Sequence, residues 1–207
     1  MMYMGFFKYV SFFFFFFYLV IKMSTFIEVG SCDFDTCEKL IQNGWKGIVI
    51  EPVKYYFDLL YKYPNIHYEN IAISDEKGQS EIHYVDPKYI QGNNQTWIKG
   101  ISCLKSMSGP LSLKGNDHLP RLRQTVETDT LESICTKYDI TYIDYLKIDT
   151  EGHDLRVLKS LNFDKVHVKF IKIEHKHLHD ETCQLINFLE DLGYIIYKET
   201  DDIYAIK

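Results

Sequence analysis

Three observations predict an α/β architecture built on a mostly parallel sheet. From Thr25 onward, short apolar runs alternate with amphipathic segments, the pattern of successive strand and helix units. Gly44, Pro52 and Pro64 fall where helices or strands would have to stop. At the C-terminus two runs, residues 194–198 and 203–207, are joined by Thr200-Asp-Asp and read as an antiparallel hairpin.

Taken in order, Phe26-Ile-Glu-Val-Gly30 is the first predicted strand, followed by a helix over 35–43. Gly47-Ile-Val-Ile-Glu51 is the second strand, and residues 55–63 form the next helix, closed by Pro64. A third strand spans 66–74, Asp75-Glu-Lys-Gly78 turns the chain, and 80–85 is extended. Residues 86–120 hold most of the Gly, Pro, Asn and Ser and no sustained period, so they read as a long insertion. A loop of that length inside a compact domain points to substrate contact. Regularity returns with a short strand at 125–127, a helix over 131–138 and a strand over 142–148. Asp149-Thr-Glu-Gly152 opens a helix to about Leu161, residues 168–174 form a fifth main strand, and a helix covers 181–192 before the hairpin.

With 207 residues, 46% of them hydrophobic, the chain can build one sizeable core. The organisation expected is a hydrophobic N-terminal segment over 1–23 and a single domain over 24–207. The net charge of −6 offers no general attraction for phosphate backbones and disfavours nucleic acid as a partner. Its five cysteines form no CxxC pair and cannot all close into intramolecular disulfides, which favours a reducing, cytoplasmic setting.

The N-terminal segment carries an apolar stretch from Phe6 to Ile21, broken by Lys8 and Ser11 and containing six consecutive phenylalanines. Three readings fit it. As a membrane anchor it falls short of the roughly 20 apolar residues of a full crossing. As a signal peptide it has an apolar core behind Lys8 but no small-residue cleavage site. As upstream translated sequence it would precede a start at Met23, which leads directly into the first strand.

In an open α/β sheet, ligands sit beyond the carboxyl ends of the strands, so acids and glycines there are the first candidates. Glu28, Gly30, Glu51, Asp149 and Glu174 all fall at or near such ends. Gly30 would let the backbone approach a ligand closely. Glu51 is placed to accept both hydroxyls of a ribose, a bidentate arrangement that suits a carboxylate. A nicotinamide dinucleotide is disfavoured, because the first turn, Gly30-Ser-Cys-Asp-Phe-Asp35, lacks the further glycines that pyrophosphate contact requires.

Several blocks together resemble one family. Phe26-Ile-Glu-Val-Gly30 with Ile48-Val-Ile-Glu-Pro52, Val126-Glu-Thr-Asp-Thr-Leu131, Asp144-Tyr-Leu-Lys-Ile-Asp-Thr-Glu-Gly152, Phe170-Ile-Lys-Ile-Glu174 and Leu192-Gly-Tyr194 are similar to the FkbM-type methyltransferases. The resemblance implies a Rossmann-like class I methyltransferase sheet in a three-layer αβα sandwich, with S-adenosyl-L-methionine (SAM) as cofactor. It implies that the turn from Glu28 through Gly30 and Ser31 to Asp33 cradles the methionine and ribose, and that Glu51 holds the ribose. Asn70, Ala72 and the pair Ser74 and Asp75 would meet the adenine. The sequence departs from the family pattern in the first turn, where Cys32 and Phe34 stand in place of an Asn and a later Gly.

Methyl transfer requires alignment of the acceptor and removal of its proton. Asp149, His153 and Glu174 are the catalytic candidates, with Asp149 also touching cofactor. His153 is the preferred base because imidazole titrates nearest neutral pH. Glu151 and Asp154 have a plain structural explanation as acids in the first turn of a helix. His175, His177 and His179 alternate, so an extended segment would put all three on one face as candidate metal ligands, although such a run is more often a solvated loop. The expected reaction is O-methylation of a hydroxyl on a sugar, glycan or small molecule. The alternative is a non-catalytic SAM- or nucleotide-binding module, tethered to a membrane through residues 6–21.

Overall fold

A computed structural model describes residues 25–33, 36–91, 96–104 and 119–207. The apolar stretch at 6–21, Met23, Phe34, Asp35 and much of the predicted insertion lie outside these residues. Among the described residues no helix is long and apolar enough to cross a membrane.

The strands of the main sheet are β1 (Thr25–Val29), β2 (Lys46–Ile50), β3 (Ile66–Glu69), β8 (Tyr142–Ile148), β9 (His167–Glu174), β10 (Ile195–Lys198) and β11 (Asp202–Ile206). Their order is β10-β11-β9-β8-β1-β2-β3. The ladders joining β3, β2, β1, β8 and β9 are parallel, whereas β11 runs antiparallel to both β9 and β10. This is the predicted mostly parallel sheet with its C-terminal hairpin.

Alternation along β1 explains the layers. Ile27 and Val29 point to a core shared with Leu146 and Ile148 of β8 and with three helices, α4 (Leu131–Lys137), α5 (Asp154–Lys159) and α6 (Glu181–Asp191). Phe26 points the other way, into a cluster with Val49, Phe170, Trp45 and Cys37 and Ile41 around α1 (Glu38–Gln42). The central strands β1 and β2 are thus covered on both faces, as their apolar sequences demand.

A second sheet is the main departure from expectation. Its order is β4-β7-β5-β6, from β4 (Ala72–Ile73), β5 (Gly78–Val85), β6 (Ser102–Leu104) and β7 (Arg121–Asp129). The single strand expected over 66–74 is therefore two strands in different sheets. The break is at Asn70, whose Nδ2 donates to the carbonyls of Glu51 at 2.7 Å and Pro52 at 3.0 Å and draws the chain across the end of β2. Asn70 thereby clamps the chain where it crosses between the two sheets.

The short strand expected at 125–127 is longer because β5 pairs with it along its length, from Gly78 opposite Thr128 to Val85 opposite Arg121. The described part of the insertion is also more regular than its composition suggests, with α3 (Pro87–Gln91), a 3-10 turn (Thr96–Gly100) and β6. Ile98, Ile101 and Leu119 anchor it by packing with Val85 in a small core of their own. A further helix, α2 (Lys54–Leu59), packs Tyr56 against Ala72, Ile82 and Val126 and so joins the second sheet to the end of β2.

Candidate active site

The chain leaves β1 for β2 and β3 on one side and returns to β8 on the other, so the carboxyl ends of β1 and β8 flank a topological switch point. Gly30 lies there with φ +82°, in the left-handed region, and a Cβ on it would meet the Asp149 carbonyl oxygen. The neighbouring strand's backbone thus demands this glycine before any ligand does. The N–H groups of Gly30 and Ser31 donate to the Ile50 carbonyl at 3.0 and 3.3 Å and fix the turn across β2.

A cavity of about 340 Å³ opens at this point, a size suited to a small-molecule ligand. It is lined by Gly30, Ser31 and Cys32 of the first turn, by Glu51, by Ile71, Ala72 and Ile73, and by Asp149, Thr150, Glu151, His153 and Glu174. Ser102, Cys103 and Leu104 bring the predicted insertion into the same wall. Among the described residues five buried side-chain polar atoms lack a partner. Four of them, Tyr56 Oη, Thr150 Oγ1, His153 Nδ1 and Glu174 Oε2, belong to residues lining this cavity. Buried polar groups are normally satisfied, so this concentration marks a place for a polar ligand.

Glu51 is buried, and its two carboxylate oxygens accept the backbone N–H groups of Cys32 and Val53, each at 2.7 Å. Burial pushes its carboxyl up to about 7, against the lowering effect of those two hydrogen bonds. Cys32 follows with φ +52°, an uncommon conformation for a side chain with a Cβ. Burial, with the charge of Glu51, pushes its thiol well above the usual range, so it is no nucleophile.

Lys147 reaches into the cavity from the penultimate position of β8 and lies 3.1 Å from Glu28 and 3.5 Å from Asp149. Burial works against its charge, but the two carboxylates more than offset this and hold the ammonium well above the usual lysine range. Thr36 also donates to Glu28.

Beyond β8 the loop passes through Glu151 with φ +56°. The carboxylate of buried Asp154 holds this loop by accepting the N–H groups of Thr150 at 2.8 Å and Gly152 at 2.9 Å. That is why the helix expected from Asp149 begins only at Asp154. Burial and the charges of Asp149 and Asp154 push Glu151 up to about 8. Burial, with Asp149, Glu151 and Asp154, pushes Glu174 up to about 9.

A scan of family descriptions matches the methyltransferase FkbM domain to residues 28–196. The chain belongs to this family. No curated protein matches its sequence. Among solved structures the FkbM chain is similar to precorrin-6y C5,15-methyltransferase from Geobacter metallireducens, with 12% identity, a TM-score of 0.43, and coverage of 92% of this chain and 85% of that one.

The cavity of this FkbM domain brings together Gly30, Ser31, Glu51, Ala72, Asp149, His153 and Glu174 from the residues that the sequence singles out. Glu28 and Asp33 do not line it. Glu28 instead supports Lys147 from within β1, and Asp33 pairs with Lys99 of the 3-10 turn at 2.9 Å. His153 is buried, with Nε2 3.0 Å from the Ser74 hydroxyl. Burial, reinforced by Arg156, lowers its titration to about 4, so the expectation that it titrates nearest neutral pH is corrected.

The three alternating histidines do not share a face, because residues 176–180 form turns rather than an extended segment. His175 places Nε2 3.0 Å from the Glu199 carbonyl, and His179 sits at φ +46°. His177 alone of the three meets the acids, 3.3 Å from Glu151. Sequence reasoning set Glu151 aside and gave Lys147 no role. A lysine between Leu146 and Ile148, next to the end of a strand, was the available signal for the latter.

Proposed function

We propose that this FkbM domain transfers the methyl group of SAM to a hydroxyl oxygen of a sugar, glycan or small molecule. The observation that carries the reading is the set of unpartnered buried polar atoms around one cavity at the strand switch point. The cavity fits the donor in its chemistry. Glu51 retains acceptor capacity beside its two backbone bonds, which suits a ribose, and Ile71, Ala72 and Ile73 offer apolar surface for a base. Among the described lining residues the acids Glu51, Asp149, Glu151 and Glu174 outnumber the one ammonium, Lys147, which is itself paired with Glu28 and Asp149, so a cationic donor meets no net repulsion.

Bound SAM supplies an already activated methyl group on a sulfonium. The protein's own part is therefore alignment and proton removal. Once ionised, Glu174 and Glu151 are stronger bases than ordinary carboxylates, because their titration is raised to about 9 and about 8, while Lys147 holds Asp149 in place. A hydroxyl acceptor has to give up its proton as it attacks, and acids at this end of the cavity are placed to receive it. All five cysteines are free, which suits a reducing compartment and supports a cytoplasmic enzyme.

Calorimetric titration of SAM into the wild-type chain and into Glu51→Ala tests the reading. Micromolar binding that the substitution weakens by about 1 kcal/mol or more is expected, the loss typical of a charge-assisted hydrogen bond. A folded wild-type chain that takes up no SAM overturns it and selects the non-catalytic module instead.

A further inference from the structure

Glu151, Glu174 and His177 converge at the edge of the cavity from two successive loops. Glu151 stands in the loop after β8, Glu174 ends the adjacent parallel strand β9, and His177 follows in the turn beyond it. One ligand atom from each of the three lies within 4.8 Å of the other two. All three side chains are half-buried, sheltered yet reachable from solvent. We propose that they form a site for a divalent cation of the Mn²⁺ or Mg²⁺ kind, seated where the acceptor enters.

Three features carry this. The first is the donor set, two carboxylates and one imidazole, a combination of hard oxygen and borderline nitrogen donors that binds Mn²⁺ well and leaves several coordination positions open. The second is Glu174 Oε2, which is shielded from solvent and accepts no hydrogen bond in this structure. A cation gives that oxygen the partner it lacks, whereas an ion pair between His177 and Glu151 alone would leave it orphaned. The third is position. Glu151 and Glu174 both line the cavity, so the open positions of the cation face the space an acceptor would occupy.

Within this site the remaining ligands are water or the acceptor oxygen. A hydroxyl bound to the cation becomes more acidic and is held in one orientation. That consequence rests on the methyl-transfer reading, but the cation site itself does not. The ligand pattern also differs from the alternating histidines suggested by sequence. It takes His177 alone from that run and draws its other two members from the loop after β8 and the end of β9.

The experiment is titration of Mn²⁺ into the full chain after chelator treatment, followed by the loss of the free Mn²⁺ electron paramagnetic resonance signal. Glu174→Gln, His177→Gln and the surface control Asp191→Asn are titrated beside the wild type, and thermal melts report folding. One saturable site per chain is expected in wild type and control. Either ligand substitution should weaken it at least about tenfold, since even an outer-shell partner is worth that much to a metal site. Absence of saturable binding in a folded wild type overturns the proposal, as does binding that survives both ligand substitutions. SAM titrated into the chelated chain is read separately. Cation binding without SAM binding removes the enzyme reading and keeps the site, and SAM binding without cation binding does the reverse.

Discussion

The carbonyl oxygen of Asp149 occupies the space that a side chain on Gly30 would need: a Cβ built there would lie 1.8 Å away. The Asp149 N–H donates to the Val29 carbonyl at 3.0 Å and so ties the end of β1 to the end of β8, the two strand ends that flank the cavity.

Gly30→Ala should therefore destabilise the fold itself. The left-handed φ of +82° and the clash with backbone act together, for a loss of about 3 kcal/mol or more. Urea unfolding monitored by circular dichroism checks this. An unchanged midpoint would show that the turn is not held as described.

Lys147 and Glu28 should be strongly coupled. Lys147→Met leaves the fully buried Glu28 carboxylate without its cation and is expected to cost about 3 to 5 kcal/mol. Adding Glu28→Gln should recover part of that loss, because no uncompensated charge then remains in the core. A double-mutant cycle by urea denaturation measures the recovery. Strictly additive losses would refute the pairing.

Stability of the chelated chain should fall on the alkaline side because of Glu174. Its carboxyl is raised from an ordinary 4.5 to about 9, so between those values the folded chain holds a proton that the unfolded chain has released. More protons on the folded state means that stability declines as pH rises through this window. Glu174→Gln should therefore flatten the decline and leave the variant the more stable protein at pH 9, with little difference below about pH 4.5. His153 has the opposite sign: lowered from 6.5 to about 4, it contributes a loss of stability as pH falls below 6.5. Thermal melts across pH decide the matter, and parallel curves for wild type and Glu174→Gln would contradict it.

Much of the site was legible because strand-end positions are local facts. The periodicity that makes β1, β2, β8 and β9 strands also places Gly30, Glu51, Asp149 and Glu174 at or next to their carboxyl ends. The second sheet was not legible, because the pairing of β4 with β7 joins Ala72 to Thr128 across a separation that no local pattern encodes. The lowered titration of His153 was not legible for a related reason. Its sequence gives an imidazole, but the burial that lowers its titration comes from the packed fold.

The sequence by itself determined the α/β class, the order of the main strands along the chain, the family and the acids at the strand ends, since each rests on local periodicity or on contiguous motifs. Tertiary structure alone decided that Gly30 must accommodate a neighbouring backbone, that Lys147 is neutralised within the core, and that Glu151, Glu174 and His177 meet at one point. These depend on distances between segments remote in sequence, and on desolvation that exists only once the core has closed around them.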